Sequence, residues 1–153
     1  MKALTLYQPW ATLVAIGEKK IETRPWSTNY RGPLAIHAGK NREWEYLINE
    51  TPFYKALSTH PTVWHMQPPS PWGCIVATCE LVDIARITEL QSFPACKAHW
   101  HQLHKWDLNK QERAFGDYSV GRFMWLLEDV KILAAPIPTK GAMGLWEWDE
   151  VKP

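Results

Sequence analysis

The chain has 153 residues, 17 basic against 16 acidic side chains and a formal net charge of +1, which sets aside a bulk basic field as the means of holding nucleic acid. That length suits one domain able to bury a core without disulfides or metal, and three cysteines (Cys74, Cys79 and Cys96) without a C-x-x-C pair favour reduced thiols. No apolar run approaches the roughly 20 residues that cross a bilayer, and Met1–Leu6 is too short for a signal core, so a soluble, cytoplasmic protein with no membrane association is expected.

Ala3–Tyr7 is predicted as a short strand. Pro9 suits the first turn of a helix, where a missing N–H costs nothing. Trp10, Leu13 and Val14 then share one helical face, and Gly17 is placed to end the helix. Lys20–Arg24 is expected to be a strand, with Lys19, Ile21 and Thr23 on one face and Lys20, Glu22 and Arg24 on the other. Pro25 stops it. Arg31-Gly32-Pro33 is a turn signal before the buried strand Leu34–Ala38. Asn41 caps a helix from Arg42 to Ser58, broken at Pro52, with Trp44, Leu47 and Ile48 as its apolar stripe. His60–Trp72 carries four prolines and is predicted as loop. Cys74–Ile87 and Phe123–Ala135 are long strands rich in β-branched residues. Between them, 92–121 is polar, with short helices in an insertion that spans about 88–121. Pro136 and Pro138 lead out of the last long strand towards a closing strand, Leu145–Trp148. Ten tryptophans make the composition unusual. Trp125, Trp146 and Trp148 are assigned to the core or its edge. Strands outnumber helices and lie in separated blocks, which fits an α+β fold: a small, mostly antiparallel β-barrel with two or three attached helices, formed by residues 1–153 as one domain.

Within 25 residues, 8–32, Lys19, Glu22, Arg24 and Arg31 stand together with Trp10 and Trp26, a density that suggests a site. The motifs here are Gln8-Pro9-Trp10-Ala11, Gly17-x-Lys19-x-x-Glu22-x-Arg24 and Arg31-Gly32-Pro33-Leu34-Ala35-Ile36-His37-Ala38. Further along stand Gly73-Cys74-Ile75-Val76, Gly121-Arg122-Phe123-x-Trp125-x-Leu127 and Lys140-Gly141-x-x-Gly144-Leu145-Trp146. In this order they resemble the ASCH domain family over nearly the whole chain. The resemblance implies a PUA-like barrel with a cleft beside the first helix. It also implies RNA, or single-stranded nucleic acid, as a partner class. Some members bind nucleic acid without sequence preference, one bacterial branch hydrolyses the acetyl amide of 4-acetylcytidine, and at least one other member is a ribonuclease. Fold alone does not choose among these.

The residues allow both binding and catalysis. Lys19 is able to hold a phosphate as a point charge or, with a lowered pKa, to act as a base. Arg24 and Arg31 carry forked donors for phosphate or a base edge, Glu22 accepts from an exocyclic amine, and Trp10 or Trp26 stacks on a base or shapes a wall. His37, at the end of a buried strand after the Arg31 turn, is a rim or core histidine that also has access to the cleft. The amidohydrolase branch carries G-x-K-T-x-T, in which the lysine activates a threonine three residues on. Here Glu22 occupies the nucleophile's position, and Thr23 keeps the spacing only to Lys20, by a one-residue slip that reverses the strand face. From composition alone, a structural ion pair of Glu22 with Lys19 or Arg24 fits as well as a ligand site, and the resemblance favours the ligand site.

Cys96, His99, His101 and His104 have the spacing C-x-x-H-x-H-x-x-H, but one helix would split them over two faces, and no metal or other cofactor is expected. The expected function is recognition of RNA, or of a nucleoside or nucleotide, in a cleft lined by Trp10, Lys19, Glu22, Arg24, Trp26, Arg31 and His37. Two alternatives stay open. One is hydrolysis of a modified pyrimidine nucleoside such as 4-acetylcytidine by Lys19 with Glu22 or Thr23. The other is a protein-interaction module in transcription that uses tryptophans of the 60–72 loop.

Overall fold

The computed structural model describes residues 1–60, 71–88 and 108–149. Among them six strands form one sheet in the order β2-β5-β4-β3-β1-β6. These are β1 (Lys2–Leu6), β2 (Ile21–Arg24), β3 (Gly32–Ala38), β4 (Cys74–Arg86), β5 (Phe123–Pro138) and β6 (Leu145–Glu147). Only β1 and β3 run parallel; every other neighbouring pair is antiparallel. Three α-helices among the described residues accompany the sheet: α1 (Trp10–Ala15), α2 (Phe53–Ser58) and α3 (Lys110–Ala114). The sheet curls into a half-barrel, and its concave side holds a core of Leu4, Leu6, Leu34, Ile36, Val76, Leu81, Trp125 and Leu127, closed by Ala11, Val14 and Ala15 of α1. No described helix is long and apolar enough to cross a membrane.

Local chemistry explains the elements around α1. Pro9 precedes the helix, and the Gln8 side-chain oxygen accepts from both the N–H (3.1 Å) and the hydroxyl (2.9 Å) of Thr12. Gly17 adopts φ +79°, which glycine reaches without steric cost. The backbone N–H groups of Glu18 and Lys19 both donate to the carbonyl of Leu13, and this turns the chain towards β2.

Some boundaries differ from those expected. The 42–58 helix is two pieces, a 3-10 turn (Glu45–Asn49) and α2, separated at Pro52. β5 continues through Pro136 and Pro138, with Pro138 opposite Cys74. The four-residue β2 covers only Phe123–Leu126, so the later half of β5 is a sheet edge, where a missing N–H is tolerated. β2 itself starts at Ile21, not Lys20.

Candidate functional site: a cleft at the seam of the half-barrel

The ends of the sheet approach each other without pairing. β6 pairs with Lys2, Ala3 and Leu4, so the carbonyl of Thr5 lies past its end. Arg24, at the end of β2, donates to that carbonyl through Nη2 at 2.8 Å. A cleft of about 290 Å3 opens at this seam between Thr5 and Leu6 of β1, Tyr7, Glu22 and Arg24 of β2, Trp10, Trp26 and the 142–144 loop. A second hollow of about 610 Å3 shares Tyr7, Trp10, Glu22 and Arg24 with it and extends towards Trp44, Phe115, Asp117 and Arg122.

The charged side chains form a chain of contacts. Arg24 Nε lies 3.2 Å from Glu22 Oε1; this is an ion pair without hydrogen-bond alignment, since Nε has no hydrogen-bond partner. Lys19 Nζ lies 3.7 Å from Glu22 Oε2 and 3.6 Å from Glu112 Oε1, and it donates to the carbonyl of Ile21. Lys19 is 0 % exposed. Its ammonium is thus enclosed behind Glu22, not presented to the cleft. The expected alternation, which set Lys19 on the face opposite Glu22, does not extend to it because Lys19 precedes the first residue of β2.

Glu112 is the member that the sequence did not reveal. It sits on α3, whose start is capped by the Asn109 side chain accepting from the Glu112 N–H at 2.9 Å. Its two carboxylate oxygens accept from the backbone N–H groups of Lys20 (2.9 Å) and Ile21 (3.2 Å). Burial pushes the Glu112 carboxyl upward, opposed by Lys19 and these two N–H groups. Burial also raises the neighbouring Tyr118 phenol, whose hydroxyl lies 3.5 Å from Glu112 Oε1. An isolated charge here would be costly, and the alternation of two carboxylates with two cations compensates each in turn. The short-range signal for Glu112 is an acidic residue three after a capping asparagine, which marks a helix start and not a charge site.

The remaining expected residues divide clearly. Trp10 is fixed by edge-to-face contacts with Trp44 (6.0 Å) and Phe53 (5.9 Å). Trp26 meets the buried Trp125 edge-on at 4.7 Å. The Thr23 hydroxyl accepts from the N–H of Asp117 at 3.1 Å and is not among the partners of Lys19. Arg31 lies away from the cleft: it donates to the carbonyls of Thr28 and Tyr30 and pairs with Asp83 at 3.7 Å. His37 is buried beneath the 139–142 segment. Its Nε2 is 3.0 Å from the carbonyl of Thr139 and its Nδ1 is 3.2 Å from the Thr5 hydroxyl. Burial holds its pKa below the usual histidine value. It therefore touches the cleft only through Thr5. Cys96, His99, His101 and His104, and most of the 60–72 loop, lie outside the described residues.

What this arrangement offers is a carboxylate and a guanidinium side by side, held from behind and walled by aromatic rings. The ASCH domain family model matches residues 4–125. Among curated proteins, mouse Activating signal cointegrator 1 is 26% identical over 148 residues, and the human protein of that name is 24% identical over 148 residues. Each alignment covers 95% of this chain, but the chain spans only 22% of the length of those relatives. Among solved structures, ASCH from Zymomonas mobilis superposes with a TM-score of 0.54 at 13% identity, over 97% of this chain and 87% of that one. A serine-to-alanine mutant of the same Zymomonas mobilis protein gives 0.53 at 14% identity, over 97% and 88%. At such identity these structures speak for the fold alone.

Proposed function

The chain belongs to the ASCH domain family, which is associated with RNA binding, and from that premise we propose that it binds RNA by taking one unpaired base into the seam cleft. The observation that carries this reading is the Glu22–Arg24 pair, 3.2 Å apart on one strand face, opening between Tyr7, Trp10 and Trp26. A carboxylate accepts from the exocyclic amine of adenine, cytosine or guanine, while the guanidinium beside it supplies donors to the ring nitrogens and carbonyls. Aromatic walls suit a flat ring. Because a folded duplex keeps its bases stacked inside, the ligand is single-stranded or looped RNA. Lys19 enters as a positioning residue, fixing Glu22 from behind.

The test is a fluorescence titration with six-nucleotide oligo(A), oligo(C) and oligo(U). Oligo(A) and oligo(C) are expected to bind about tenfold tighter than oligo(U), within the ~1–3 kcal/mol that a good base-edge contact discriminates. Glu22→Gln, which adds a donor to the acceptor, is expected to remove that preference. Equal binding of all three by both proteins would reject the reading. Hydrolysis of 4-acetylcytidine is favoured less by the geometry. The ammonium of Lys19 is sealed among three oxygen acceptors, and Thr23 is engaged with Asp117.

A further inference from the structure

We propose that the ligand site continues past the seam as a track for the nucleotides flanking the captured base, with Trp44 and Tyr46 as stacking platforms and Lys40 and Arg42 as phosphate contacts. This rests on the base-binding reading of the cleft. The track starts where the larger hollow ends: Trp44 lines that hollow beside Trp10. Tyr46 follows, with its ring centre 6.3 Å from that of Trp44 and the two planes inclined by 37°. Tyr46 is 56% exposed and Tyr7, at the mouth of the cleft, is 45% exposed. Large aromatic rings left open in a row beside a polar cleft are the arrangement that single strands use, since every base offers a flat face.

Two cations border this row. Arg42 lies with its guanidinium carbon 4.2 Å from the centre of the Trp72 ring. Stacking of this kind uses the face of the guanidinium and leaves its in-plane N–H donors for a phosphate. Lys40 lies against Gly73, the residue after Trp72, where a Cβ would collide with its Cε, so the absence of a side chain at 73 makes room for the lysine. The backbone at Gly39 passes Tyr7, whose Cδ1 is 4.0 Å from where a Cβ of residue 39 would stand. The backbone just before Lys40 thus passes the mouth of the cleft, and Lys40 and Arg42 directly precede Trp44 and Tyr46 in the chain.

The charge balance makes the proposal specific. Glu43 and Glu45 sit in the same segment as Lys40 and Arg42, so stacking, not net charge, supplies most of the affinity. The salt dependence should be shallow: two phosphates on a single strand give a slope of log K against log salt of about −1.4.

The experiment compares AMP with hexaadenylate. The hexamer is expected to bind at least ~tenfold tighter. Tyr46→Ala, an exposed change that leaves thermal melting unaltered, is expected to weaken the hexamer about fivefold or more and leave AMP unchanged, given that stacking contributes ~1–3 kcal/mol per base. Lys40→Ala combined with Arg42→Ala should flatten the salt slope. Trp44→Ala is less suitable, because Trp44 supports Trp10. If AMP binds in a Glu22-dependent manner and the hexamer binds no tighter, the track is overturned and the cleft stands. A hexamer that is indifferent to Tyr46→Ala also overturns it and leaves the patch for a protein partner. If neither ligand binds, both readings fall.

Discussion

Lys19 and Glu112 meet at 3.6 Å in the interior, one from the turn before β2 and the other from α3, far apart in sequence. Through this contact α3 anchors the start of β2 and, by way of Lys19, the carboxylate of Glu22 that faces the cleft. Four charged groups thus lie in a line, each with an opposite neighbour, and removing one leaves a buried charge without compensation.

Glu112→Ala is accordingly expected to lower stability by about 3 kcal/mol, at the low end of what breaking a buried pair costs. It also leaves the N–H groups of Lys20 and Ile21 without their acceptor. Urea unfolding measures it. Lys19→Met alone should cost a similar amount, because it leaves Glu22 and Glu112 facing each other, and the double variant should cost less than the sum. Strict additivity would show that the three side chains do not act as a network.

His37 predicts a pH dependence. Burial lowers its pKa in the folded state relative to the unfolded chain. Between the folded value and about 6.5 the unfolded chain then binds more protons, so stability rises with pH through that window. Its contribution is fully present above about pH 6.5 and is lost as pH falls through the folded value. Thermal melting between pH 5 and 7.5 should show this slope, and His37→Gln should flatten it. An unchanged slope in the variant would place its source elsewhere.

Gly141 and Gly144 offer a contrast within one loop. A Cβ at Gly141 would lie 2.5 Å from His37 Nδ1 and 3.0 Å from the Thr5 hydroxyl oxygen. Gly141→Ala should lift the loop off His37, cost about 1–3 kcal/mol as overpacking does, and weaken ligand binding, because Ala142 and Met143 line the cleft. Gly144 has φ +68° with open space around it, so Gly144→Ala should cost about 1 kcal/mol from backbone strain alone. Calorimetry of both, with RNA titrations, separates packing from conformation.

Arg31→Ala is expected to change stability by less than about 1 kcal/mol, since its pair with Asp83 is solvent-accessible. RNA affinity should stay within twofold, as Arg31 lies outside the cleft. A larger loss of binding would return Arg31 to the interface.

Much of this was legible along the chain because it depends on near neighbours. Proline, glycine and the spacing of Trp10, Leu13 and Val14 define α1. Runs of β-branched residues define β4 and β5. The crowding of Lys19, Glu22, Arg24, Trp10 and Trp26 marks a segment of which Trp10, Glu22, Arg24 and Trp26 line the seam cleft. Alternation places Glu22 and Arg24 on one face, and both line the cleft.

The information legible along the chain is local: which segments form strands and helices, and that one N-terminal segment carries concentrated charge and aromatic rings. Folding adds that Lys19 is sealed while Arg24 lines the cleft, that Arg31 lies outside it, that His37 is covered by the 139–142 segment, and that Glu112 completes the charge network. Burial, and the partner a charge finds there, depend on which distant segments the curled sheet brings against it. Spacing along the chain carries no record of that.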